Sequence, residues 1–323
     1  MAVFLTAIIA GLILLVWSAD RFISGSAALA RLLGVSPLVI GLTVVAFGTS
    51  APEMFVSALS ALQGQPGLAI GNALGSNITN IGLILGITAM VRPLTVGSSI
   101  LRRELPMAAG LVLLSVLLCL DGDLDVFDGV VLLIALTGLL IWLYRMATSG
   151  DPADPLASEI VNELPAQDMS LRTAVFWTVV GLILLASSAQ ILVWGAVGMA
   201  ELLGVPDLII GLTIVALGTS LPELAASLAG ALKGEHDLAI GNILGSNMFN
   251  LTIVLPMPAL LSPGLVPPEL LSRDMLAMAL FTGVLFLMAA GWAGRAGRIN
   301  RVEAGVLLLG FGAYELILLN SSL

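Results

Sequence analysis

Long apolar runs joined by short polar connections set the pattern of this chain. A helix needs roughly 20 apolar residues to cross the hydrocarbon core of a bilayer. Ten segments qualify: 3–20, 37–62, 67–90, 105–120, 126–146, 172–199, 207–232, 238–261, 270–292 and 303–320. The fourth is the shortest and runs into an acidic turn, Asp121-Gly122-Asp123-Leu124-Asp125. That turn resembles the start of a calcium loop but lacks its later glycine and glutamate, so it is expected to be a solvated loop. The one long polar stretch, Thr148 to Leu171, is acidic, contains proline and shows no periodicity, which marks a linker too short for a folded regulatory domain.

Two stretches on either side of that linker match. Residues 41–80 and 211–250 align without a gap at an offset of 170 and share 24 of 40 positions. The shared residues include Gly-Thr-Ser-x-Pro-Glu and Gly-Asn-x-x-Gly-Ser-Asn-x-x-Asn, polar groups in apolar surroundings. The repeat extends outward, since GLILL at 11–15 recurs at 181–185 and Ser18 maps to Ser188. The chain therefore divides into a first five-span repeat at 1–147, a linker at 148–171 and a second five-span repeat at 172–323. An odd number of spans per copy turns the second copy upside down in the membrane, the plan of many secondary transporters.

Composition changes the picture by exclusion. Apolar residues make up 59% of the chain and charged ones 10%, against roughly 45–50% and about 25% in soluble domains, so the protein is integral to a membrane. A net charge of −9 without a basic cluster argues against nucleic acid. One cysteine, Cys119, excludes an intrachain disulfide and reads as a buried apolar side chain. The first segment has no basic leader and is expected to be a retained span. With the N-terminus outside, eleven of the twelve Lys and Arg residues fall in inner connections, and only Arg273 falls outside. That asymmetry places both termini outside the cytoplasm. His236 falls in an inner connection and is expected to be an ordinary loop residue.

The chemistry lies in the doubled motif. In Gly48-Thr49-Ser50-Ala51-Pro52-Glu53 the proline cannot donate to the carbonyl of Gly48, and Ser50 with Glu53 has the form of a capping box. One helix is thus expected to end and another to start inside the membrane, and Gly218 to Glu223 repeats the arrangement. Broken helices are tolerated in a bilayer only where the freed backbone lines a cavity or is buried in protein. A carboxylate at the bilayer centre costs a few kcal/mol even on lenient scales. Two matched ones, Glu53 and Glu223, would repel unless a cation or proton sat between them; two protonated helix caps are the alternative. Ser76 and Asn80, like Ser246 and Asn250, are four apart and share a helix face, where they supply neutral oxygens or bind a neighbouring helix. Gly71 and Gly75 permit close helix packing. Hard cations want such oxygen sets, and the motifs hold no histidine or cysteine for zinc or copper.

These motifs resemble the sodium/calcium exchanger family of the calcium/cation antiporter superfamily, over nearly the whole chain. The resemblance implies a ten-helix all-α membrane fold with spans 2, 3, 7 and 8 at the ion site and helices 2 and 7 broken there. It implies calcium coordination by Glu53 and Glu223 with the carbonyls of Thr49 and Thr219. It further implies sodium sites built from Ser50, Ser220, Ser76 and Ser246 with the carbonyls of Ala46 and Ala216, and sliding of spans 1 and 6 across a fixed core. Asn250 departs from members that carry an aspartate there; with Asn80 it leaves the site two formal acids. Serine at 76 and 246, where proton-coupled relatives usually have an acid, favours sodium as the driving ion.

The expectation is a sodium-driven calcium antiporter of a prokaryotic plasma membrane. Calcium and sodium would be its cargo, with no cofactor and no obligatory protein partner. Proton/calcium exchange is the alternative within transport. A cation channel could also hold two central glutamates, but inverted repeats with broken helices favour alternating access. A hydrolase using Ser50 or Ser220 would lack a histidine or lysine base in either motif.

Overall fold

The computed structural model describes residues 1–33, 50–97, 100–148, 169–234, 236–290 and 297–321. The first half contains α1 (Ala2–Leu32), α2 (Ala51–Leu62), α3 (Pro66–Thr79), α4 (Gly86–Val91), α5 (Leu105–Leu118) and α6 (Val126–Thr148). The second contains α7 (Leu171–Leu203), α8 (Asp207–Ile210), α9 (Ala216–Thr219), α10 (Leu221–Lys233), α11 (His236–Phe249), α12 (Pro256–Leu261), α13 (Leu276–Ala290) and α14 (Arg301–Ser321). Five wider π-helical turns, at Asn80–Leu85, Ile100–Glu104, Gly211–Val215, Asn250–Val254 and Leu270–Met275, continue or lead into these helices. Helix thus lies within each of the ten expected segments. Among the described residues seven helices are long and apolar enough to cross a membrane, or eight if the bent run Asp207–Lys233 is one span.

α1 and α7 depart from the expected 3–20 and 172–199. Asp20 and Arg21 end the apolar run of α1, yet the helix continues to Leu32 because Ser24, Gly25, Ala27 and Ala28 are buried. α7 begins at Leu171, where the Ser170 hydroxyl caps it by accepting from the Thr173 N–H at 3.3 Å. The two helices pack antiparallel over their length. A Cβ on Gly11 would meet Leu192 and one on Gly181 would meet Phe22, the residue matching Leu192; Gly25 against Trp177 and Gly195 against Ala7 repeat the correspondence. Ser18 and its mate Ser188 meet hydroxyl to hydroxyl at 3.3 Å, on the local two-fold of the pair. Arg21 is no loop residue but lies over the rings of Trp17 and Trp177, at 5.6 and 5.2 Å from their centroids.

The buried apolar side chains form two separate cores. The larger joins α3 to α6 and α11 to α14. The smaller joins α1 and α7 to Ala51 and Val56 of α2 and to Ile210 and Val215. Two short antiparallel ladders cross-link the halves. β1 (Leu94–Thr95) pairs with β4 (Arg298–Ile299), and β2 (Asp123–Leu124) with β3 (Gly264–Leu265). Each ladder joins the connection after the third span of one half to a connection of the other, and they lie on opposite faces. On the β2–β3 face the Asp121 turn is locally satisfied: Asp121 accepts from the Asp123 N–H at 3.1 Å, and Asp125 and Asp128 accept from each other's N–H at 3.1 and 2.9 Å. On the β1–β4 face His236 does more than fill a loop, since its Nδ1 accepts from the Thr95 N–H at 3.1 Å.

Arg273, the one basic residue expected outside, is neutralised within the fold. Its guanidinium grips Asp274 at 2.7 and 3.0 Å, and Tyr314 donates to the same carboxylate at 2.9 Å. Arg103, Glu104 and Tyr144 hold the matching positions in the first half.

Candidate ion site

The two matched turns meet in the interior. Glu53, third in α2, and Glu223, third in α10, are each 1% exposed. The break in the second half is a bend of 44° between Asp207–Thr219 and Leu221–Lys233. It follows from Pro222, which leaves the carbonyl of Gly218 without its i+4 donor.

The expected capping boxes do not form. Ser50 and Ser220 precede α2 and α10 with φ near −85° and ψ near 5°, and neither side chain caps its helix. An N-cap needs extended backbone to aim its oxygen at the next N–H groups. Here the backbone is not extended; the carbonyls of Ser50 and Ser220 accept the first helical bonds, from the Met54 and Leu224 N–H, but the hydroxyls make none. Both hydroxyls are left buried without a partner among the described residues.

The other expected site residues that the structure describes are buried as well. Ser76 and Asn80 from the third span, and Ser246 and Asn250 from the eighth, are at most 3% exposed. Both carboxylate oxygens of Glu53, the Ser76 hydroxyl and the amide oxygens of Asn80 and Asn250 lack a hydrogen-bond partner among the described residues. Ser246 donates to Glu223 Oε1 at 3.2 Å, a bond its mate Ser76 does not make to Glu53. Thr219 ends α9, buried, and its hydroxyl donates to Asn72 Oδ1 at 3.2 Å. The carbonyl of Ala216 already accepts from the Ser220 N–H and the Thr219 hydroxyl, at 3.1 and 3.3 Å. Thr49 and Ala46 lie outside the described residues.

Three further pairs tie the glutamate-bearing helices and the third and eighth spans together, and the 40-residue repeat contained them all. Asn72 donates to the Glu53 carbonyl at 3.0 Å and to Ser57 at 2.9 Å. Asn242 does the same to Glu223 and Ser227, at 3.3 and 2.9 Å. Each asparagine thus ties a glutamate-bearing helix to the span beside it. Asn247 accepts from Asn80 at 2.9 Å and donates to the Asn77 carbonyl at 3.3 Å, joining the third and eighth spans. The signal was identity at the 170 offset for Asn72, Ser57 and Asn77 alike. Gly71 and Gly75 act as expected of packing residues, because a Cβ on either would press on the carbonyl of Leu208 or Leu212.

Two matched halves, each burying an acid and neutral polar side chains inside apolar helices, have the features of a membrane protein that handles cations. The family model described as "Sodium/calcium exchanger protein" matches residues 3–145 and 173–320, and the chain belongs to that family. It is 46% identical to "Putative antiporter CaxA" of Alkalimonas amylolytica, over 97% of this chain and 98% of that one. It is 28% identical to "Sodium/calcium exchanger MaX1" of Methanosarcina acetivorans, over 95% and 96%. A solved structure of the sodium-calcium exchanger NCX_Mj aligns with a TM-score of 0.62 at 32% identity, covering 96% of each chain. Family membership makes cation/calcium antiport the activity class, and a transporter rather than an enzyme.

Proposed function

We propose that the protein exchanges sodium for calcium by alternating access, with calcium held between Glu53 and Glu223. One observation carries the reading: both carboxylate oxygens of the buried Glu53, and the side-chain oxygens of Ser50, Ser220, Ser76, Asn80 and Asn250, are buried without a hydrogen-bond partner among the described residues. Buried polar atoms are normally satisfied, because leaving them unpaired costs roughly 1–3 kcal/mol each. A cation supplies what these oxygens lack. Calcium takes 6–8 oxygens, and two carboxylates with neutral groups suit it. Thr49 and Thr219 would add carbonyls. Ser50, Ser220, Ser76 and Ser246, with Asn80, Asn250 and the carbonyls of Ala46 and Ala216, would hold sodium when calcium leaves. The Ala216 carbonyl would first have to release the Thr219 hydroxyl. Because either cargo neutralises the same two charges, the ions compete, and competition couples their movements.

In this reading ten spans cross a prokaryotic inner membrane, with both termini outside and the β1–β4 face in the cytoplasm. The two repeats are 1–147 and 172–323, no cofactor takes part, and the protein needs no partner. Calcium binding to the purified protein at fixed pH, titrated with sodium, tests the coupling. Sodium should displace calcium while potassium at equal ionic strength should not. Displacement only by lowering pH would replace sodium with protons as the driving ion.

A further inference from the structure

The two halves of the broken-helix pair are covered differently. Ala51 and Val56 of α2 are 4% and 0% exposed and belong to the smaller core with α7. At the matching positions of α10, Leu221 is 44% exposed and Ala226 is half-buried. α7 packs along α2, whereas α1 leaves α10 largely uncovered. The level of contact is also off-centre. Gln190 lies two residues past Ser188, the midpoint of the α1–α7 pair, yet its amide oxygen accepts from Gln63 Nε2 at 3.0 Å. Gln63 caps the far end of α2, ten residues beyond Glu53, or about 15 Å along the helix. The α1–α7 pair therefore sits displaced toward the β2–β3 face and is fastened there by an amide–amide bond.

The repeat assigns each of these residues a mate. Gln190 maps to Asp20, two residues past Ser18, and Gln63 maps to Lys233, the last residue of α10. Both mates are exposed, and neither side chain has a partner among the described residues. Asp20 is an acid within the 31-residue apolar helix α1 that nothing in the ion site uses. Arg92 donates to the Leu232 carbonyl at 2.6 Å, so the corner around Lys233 carries a second cation.

We propose that Asp20 and Lys233 form a second latch, which closes the β1–β4 face when the α1–α7 pair slides to that side. Exchanging the roles of two near-identical halves gives a state of similar energy, which ligands can then select. In that state α1 covers α10 as α7 covers α2 here, and Asp20 reaches Lys233 as Gln190 reaches Gln63. One latch is a neutral amide pair and the other an ion pair. The inference rests on the alternating-access reading, but its test needs no measurement of flux.

The test uses full-length protein in membranes with Cys119 replaced by alanine. A short bifunctional methanethiosulfonate should cross-link Gln63→Cys/Gln190→Cys and, in a different fraction of molecules, Asp20→Cys/Lys233→Cys. Changing sodium and calcium should move the two yields in opposite directions. The latch is overturned if the 63/190 pair does not cross-link, if the 20/233 pair never does, or if both yields rise together. A charge exchange checks the ionic part through thiol labelling of Ala225→Cys, exposed on α10. Lys233→Asp should lower the population of the state that protects this thiol by about two- to fivefold, the range for an exposed ion pair. Adding Asp20→Lys should restore it; no restoration rejects the pairing. Alternating cross-links in a protein that exchanges no sodium for calcium would keep the latch and reject the proposed cargo.

Discussion

α2 and α10 share the Pro-Glu turn, the serine before it and the asparagine that holds it, yet they occupy different surroundings. α2 lies under α7, while Leu221 of α10 stands 44% exposed. Near the glutamates Ser246 bonds Glu223 and Ser76 stays unpaired. The Pro-Glu motif is the same in both, but α7 packs on α2 whereas α1 leaves α10 largely uncovered. In the alternating access proposed above, a state open to one face covers the two halves unequally, so near-symmetry in sequence and asymmetry in packing are compatible.

The largest test asks whether the halves are equal where the sequence says so. Glu53→Gln and Glu223→Gln should each abolish calcium exchange while the protein still folds and inserts. In the proposed site each removes one of the two charges that would hold a divalent ion where solvent screens little. Stability without calcium should hold or rise, because a buried carboxylate is costly without its cation. Near-normal flux in either variant would make that glutamate a structural group and break the equivalence.

A smaller effect is expected from the asparagines. Asn72→Ala and Asn242→Ala should each lower stability in detergent by about 1–3 kcal/mol through the donors and acceptors they orphan. Asn72 should cost more, since it also accepts from Thr219. Equal costs would mean that this third bond contributes nothing. The serines should differ least. Ser246→Ala removes a hydroxyl that donates to Glu223 and should weaken calcium binding about two- to tenfold, within the worth of one hydrogen bond. Ser76→Ala should alter mainly the sodium dependence. Identical calcium affinities for the two variants would show that the Ser246 bond is exchanged freely between the halves.

Much of this was legible before any coordinates. The 170 offset singled out both glutamates, Ser50, Ser220, Ser76, Ser246, Asn80 and Asn250 as polar identities inside apolar segments, and the structure buries all of them. What escaped was of two kinds. The length of α1 past Asp20 depends on small residues packing against α7, and no periodicity in one helix reveals a partner 170 residues away. The capping boxes failed because their pattern presumes an extended N-cap, whereas the backbone at Ser50 and Ser220 is not extended. The asymmetry of the halves lies in no single sequence position, since it belongs to a state rather than to a residue.

The central claim, that sodium moving one way drives calcium the other, is tested most directly in liposomes holding the purified protein. Calcium uptake is followed after imposing a sodium gradient, a proton gradient or neither, with the membrane potential clamped. A sodium gradient alone should drive calcium against its own gradient, and Glu53→Gln should abolish the signal. Uptake driven by the proton gradient alone, or calcium flow only down its own gradient, would contradict the claim.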